Sequence, residues 1–157
     1  ILALHAALQG ACVCHLTTTA APVGAVTKKN ASEWLKYFDD MSANPRAEPP
    51  KTKLMSLPDL LKAVRKPNSF GGGSRKGIAI NDTELAWLTR IHNEFRNQFV
   101  HFSPAGWSFE ISGVPKIARL VARIIKDIFD RGYGFRHLDE GQRQNMSRDI
   151  ELLSKAI

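Results

Sequence analysis

Arg96 and His101 stand five residues apart near the end of an apolar-periodic stretch, with Asn97 directly after the arginine. These residue types suit proton transfer beside an anion. A histidine titrates near neutrality, so it can take or give a proton at ordinary pH. An arginine stays charged, and its planar fork can grip two phosphate oxygens. Asn97 adds a hydrogen-bonding group that can position a ligand, and Asn93 and Glu94 are weaker candidates. A structural explanation competes with this one: a cation near a helix C-terminus is favoured by the helix dipole, and an imidazole there can cap free carbonyls.

The element carrying these groups is predicted to be a helix over residues 82–102. Leu85, Leu88, Ile91, Phe95, Phe99 and Phe102 recur at spacings of three, three, four, four and three, the repeat of a helix burying one face. At about 100° per residue, Asn93, Asn97 and Val100 fall nearly opposite that stripe, with Arg96 on one flank and His101 on the other. One face then feeds the core, and the other can meet a second surface. Asn81 followed by Glu84 reads as a capping box that starts the helix, and Pro104 and Gly106 close it.

The run from Arg96 through His101 resembles the R-x4-H signature of the HEPN superfamily, small all-helical proteins that carry the motif on one helix, often with Asn after the Arg as at Asn97. The likeness is local to this stretch. It implies an all-α helical bundle and, in the nuclease members, a metal-independent RNase site formed where two copies of the motif meet across a homodimer. Arg96, His101 and Asn97 are then the implied catalytic residues, RNA the substrate, and no cofactor is required. Other members only bind RNA or a partner, so a non-catalytic RNA-binding or dimerisation module is the alternative. Toxin members paired with an antitoxin extend the motif to R-x4-H-x-Y, whereas Ser103 holds the tyrosine position here. A toxin or defence role, with an antitoxin as partner, is a context that only the resemblance suggests.

The totals agree with one domain. A chain of 157 residues, 43% apolar and without internal repeats, can bury about two-thirds of its unfolded surface. Cys12 and Cys14 sit one residue apart in an apolar helical run, point to different sides and cannot readily bond each other, so a reducing compartment is expected. The first 16 residues are too short for a membrane span and lack the basic region of a signal peptide, so a cytoplasmic protein without membrane contact is expected. The chain also opens inside a helical pattern without a methionine, so Ile1 need not be the true N-terminus.

Lysine and arginine number 22 against 15 acidic residues, a net of +7 that favours a polyanion without naming one. The excess is concentrated over residues 46–77, where eight basic residues face Glu48 and Asp59, a net of +6. Within it Lys62, Arg65, Lys66, Arg75 and Lys76 are the candidate RNA contacts, and a solvated loop is the competing explanation.

The remaining segments supply the frame. Residues 1–16 carry Leu2, Leu4, Leu8, Ala11, Cys12, Val13 and Leu16 on nearly all sides, the pattern of a helix enclosed in a bundle. A short helix is predicted over residues 31–41, capped by Asn30, with Trp34, Leu35, Phe38 and Met41 inward. Pro45, Pro49 and Pro50 predict an extended surface connection. Ser56, with Pro58 and Asp59, caps a helix that buries Leu57, Leu60, Leu61 and Val64 and ends at Pro67. The glycine run over residues 71–77 lacks the spacing of a P-loop and reads as a flexible linker. Residues 107–112 alternate apolar and polar, predicting a short strand or extended element that pairs with residues 77–80 or with a partner chain. From Pro115 a strongly amphipathic helix buries Ile117, Leu120, Val121, Ile124, Ile125 and Ile128, with Arg119, Arg123 and Lys126 outward. Asp139 with Gln142 caps a last helix that buries Met146, Ile150 and Leu153.

Cys12, Cys14 and His15 are too crowded on one helix to converge on a metal, and a core role is preferred for them. His5, His92 and His137 are read the same way, with His92 packed and hydrogen-bonded at the edge of the apolar stripe.

Overall fold

A computed structural model describes residues 1–17, 22–67, 76–96 and 112–155. Within them the protein is all-helical: α1 (Leu2–Leu16), α2 (Lys28–Ala43), α3 (Leu57–Val64), α4 (Asp82–Arg90), α5 (Val114–Asp130) and α6 (Glu140–Lys155). α4 continues into a π-helical turn, Ile91–Arg96. The described residues contain no strand, only an isolated antiparallel bridge between Val26 and Leu54.

Helix α1 is the hub. It packs against α3, α5 and the π turn, while α4 packs on α3 and α6 on α5. Its burial is one-sided rather than all-round: His5, Leu8, Ala11, Cys12, His15 and Leu16 are buried, whereas Leu2 is 45% exposed. Alanines and Gly10 on the outer face hid that asymmetry, because they are neither polar enough nor large enough to mark a solvent side. The exposed Gly10 meets nothing within 4 Å of an added Cβ. Gly10→Ala should therefore raise stability by about 0.5–1 kcal/mol, read as a higher urea midpoint with an unchanged slope.

The core collects the apolar stripes of four helices. Leu8 of α1, Leu57, Leu60, Leu61 and Val64 of α3, Leu88 of α4, and Val121, Ile124 and Ile128 of α5 are each 2% exposed or less. Three predicted caps form. The Ser56 hydroxyl accepts from Asp59 N at 3.4 Å. Asn81 and Glu84 make a reciprocal box at 2.9 and 3.0 Å, and Asp139 and Gln142 another at 2.8 and 3.0 Å. Each satisfies amides that the first helical turn leaves free.

Helix α2 departs from expectation. It begins at Lys28 with Thr27, not Asn30, as its cap. Asn30 is instead buried and stitches the helix to the proline-rich connection: its amide donates to Glu33 Oε2 at 2.8 Å and Lys51 O at 2.9 Å, and its Oδ1 accepts from Lys53 N at 2.8 Å. The helix packs little on the bundle, so Leu35 and Met41, expected inside, are 56% and 42% exposed. Helical spacing defined an apolar face, but among the described residues no helix packs closely over Leu35 and Met41.

The suggested extended element at 107–112 lies outside the described residues except for Ser112, which is in a turn. Its suggested mate, residues 77–80, runs irregularly and is fastened to α5. Arg131 donates to Gly77 O at 3.0 Å and to Lys76 O while pairing with Asp127 at 3.0 Å. Arg123 donates to Ala79 O at 2.7 Å and pairs with Glu84 at 3.0 Å. Arg123 of α5 and Arg131 just beyond its end thus hold this segment in place, so the outward basic side of α5 is not wholly given to solvent.

Candidate functional site

The helix that begins at the Asn81 box leads to Arg96. Leu88 and Ile91 are buried and Leu85 is half-buried, as their spacing requires, and Asn93 is exposed. The phase then changes. From Ile91 to Arg96 the backbone is π-helical, with bonds reaching five residues instead of four, so the turn is wider than the uniform α-helix assumed from the sequence. Such turns within helices are frequent at functional sites. Arg96, half-buried, is the last described residue of this turn. Asn97 and His101 lie outside the described residues, as do Phe99 and Phe102.

What gathers around Arg96 is a pair of histidines. His5, 7% exposed on α1, places Nε2 2.9 Å from His92 Nδ1 on the π turn. Their rings stack with centroids 5.2 Å apart and planes inclined by 18°. The expectation that His92 is packed and hydrogen-bonded holds, although its partner could not be anticipated. Burial, then the His92 ring, then the Arg96 charge hold His5 below the ordinary histidine value. Burial and then Arg96 do the same to His92, against an opposing pull from Asp59 at the start of α3.

The resulting site is a fixed cation next to two imidazoles that stay neutral at physiological pH. A neutral imidazole can accept a proton, and the guanidinium can hold an anion beside it. His15 on α1 is also held low, by burial and then Arg131, with Asp127 opposing. Each of these three histidines binds protons less readily in the fold than in the unfolded chain. Their contribution to stability is intact above the unfolded value of 6.5 and declines as pH falls below it. Thermal midpoints should therefore fall between about pH 7.5 and about pH 5, and the fall should shrink in a His5→Gln, His15→Gln double variant.

The basic candidates divide. Lys62 and Arg65 lie on α3 and at its end, but Lys62 sits 3.7 Å from Asp59 and Arg65 2.7 Å from Asp82. Lys66 and Lys76 are exposed, and Arg75 is outside the described residues. A groove of about 480 Å³ between α3 and α4 is bordered by Lys62, Arg90, Asp82, Glu94 and Asn93. Its charges balance, since Arg90 pairs with Glu94 at 2.7 Å. The groove therefore offers an anion no excess of positive charge.

Other chemistry finds little support. Among the described residues no group of three histidine, cysteine or acidic side chains could hold a metal. Cys12 and Cys14 are free thiols; burial pushes the Cys12 thiol up to about 12 and raises Cys14 as well, so neither is an activated nucleophile. No described helix is long and apolar enough to cross a membrane.

Fold and site together define a small all-helical protein with an arginine and two histidines at a π turn. Comparison with family models, curated proteins and solved structures gives no match for this chain.

Proposed function

We propose that this protein is a metal-independent endoribonuclease of HEPN type that acts as a homodimer. The observation that carries the reading is Arg96: it begins the R-x4-H spacing to His101, and it ends a π turn of an all-helical domain beside neutral imidazoles. In the reaction a ribose 2′-oxygen attacks the adjacent phosphorus, a P–O2′ bond forms and the P–O5′ bond breaks. One His101 takes the 2′-hydroxyl proton, and His101 of the second copy gives a proton to the departing O5′. The products are a cyclic 2′,3′-phosphate and a 5′-hydroxyl. Arg96 grips the phosphate oxygens as negative charge builds on them, and Asn97 positions the group. Two-fold symmetry supplies the second histidine that one motif lacks.

The deciding experiment is incubation with RNA in a chelator, followed by identification of the new ends. Cyclic phosphate termini support the reading, and cleavage that stops when divalent ions are removed contradicts it. A second reading, a non-catalytic RNA-binding or dimerisation module, draws on Trp87 of α4, which is 48% exposed and suited to an interface. That reading predicts a dimer that binds RNA and leaves it intact.

A further inference from the structure

The His5–His92 contact joins residues 87 apart in sequence, and it ties α1 to the turn that ends at Arg96. Between the facing nitrogens, 2.9 Å apart, there is room for one proton. If both rings are neutral, one donates and the other accepts. If one ring is cationic, its extra proton sits on a far nitrogen and the bond persists. If both are cationic, both facing nitrogens carry hydrogen and the bond is lost.

We propose that this pair is a positioning unit for Arg96, clamping the π turn to α1 as long as the facing nitrogens share a single proton and releasing it when both rings are charged. The proposal rests on Arg96 as the phosphate-binding group. The groups that face the pair come from each neighbouring element. Arg96 adds positive charge from the π turn, and Asp59 of α3 adds negative charge already engaged by Lys62 at 3.7 Å. Leu57 of α3 and Leu88 of α4 line the small void beside His5, and α5 contributes only Ile117 and Val121 there. Among the described residues, double protonation would thus add two cations to the charge of Arg96 beside the carboxylate of Asp59, against an apolar wall. Lowered affinity of both rings for protons places that event in acid, so the clamp is closed at neutral pH.

Glutamine at position 5 separates holding from titrating, because its amide can turn to donate to or accept from His92 and never gains charge. Hydrogen exchange of the amides over Ile91–Arg96, corrected for intrinsic rates, is compared in the full-length wild type, His5→Gln and His5→Leu. Protection in the wild type should fall about tenfold more than in His5→Gln between about pH 7.5 and about pH 5. His5→Leu, without a hydrogen bond, should be poorly protected at both. Should His5→Leu not fold, the comparison of wild type with His5→Gln decides alone. RNA cleavage should follow, its acid limb reaching lower pH in His5→Gln. Equal exchange in wild type and His5→Gln across this range would overturn the proposal. No cleavage by the wild type would instead remove the nuclease reading, an unchanged rate in Arg96→Ala would remove the phosphate-binding role of Arg96, and in either case the exchange data would still judge the clamp.

Discussion

Arg96→Ala should lower RNA cleavage by at least about 100-fold at neutral pH, and His101→Ala by about 100- to 10,000-fold, with the oligomeric state of both unchanged. The first loses charge stabilisation at the phosphorus, and the second loses proton transfer. Arg96→Lys should recover only part of the rate, since an ammonium keeps the charge and not the two-pronged grip. Initial rates on a labelled RNA in chelator, with size measurements on each variant, supply the check. A variant that loses cleavage together with dimerisation would point to an interface role for the side chain.

The other large effect concerns folding. Gly77→Ala should cost about 3 kcal/mol or more, seen as a large drop in the denaturant midpoint. A Cβ at this position would lie 1.8 Å from Arg65 O and 2.2 Å from Arg65 C, so backbone would have to move. It has little freedom to do so. Ile78 N donates to Val64 O at 2.8 Å on one side, and Arg131 holds Gly77 O at 3.0 Å on the other. Gly10, where an added methyl meets nothing, is the internal control.

That contrast shows what kind of information the sequence carries. The caps at Ser56, Asn81 and Asp139 were legible because both partners of each bond lie within three residues. The burial of Val121, Ile124 and Ile128 was legible because the helical repeat ran without interruption. Gly77 was read as the end of a linker, since nothing local reveals that the end of α3 presses on it. The exposed Leu35 and Met41 show the reverse error: spacing identifies an apolar face but not whether another helix comes to meet it.

The candidate site was legible in part. Arg96 could be singled out from its spacing to His101, and His92 could be expected to hydrogen-bond. Its partner His5 could not be foreseen, because only the approach of α1 to the π turn brings them together. The one available signal was that His5, Leu8, Cys12 and His15 share a three-to-four repeat, which places two histidines on the inward stripe. Of the basic residues singled out as RNA contacts, Lys62 and Arg65 are engaged by carboxylates, a fact invisible to a count of charges.

The π turn carries a consequence for reading kindred chains. A widened turn accommodates one residue that an ordinary turn would not, so a sibling one residue shorter between Ile91 and Arg96 would wind straight through as plain α-helix. Arg96 would then stand in about the same relation to the preceding helix as it does here, because the wider turn only absorbs the extra residue. A single-position gap in an alignment of this stretch would therefore record a change of winding with the guanidinium still aimed the same way, and not the loss of a chemically active position.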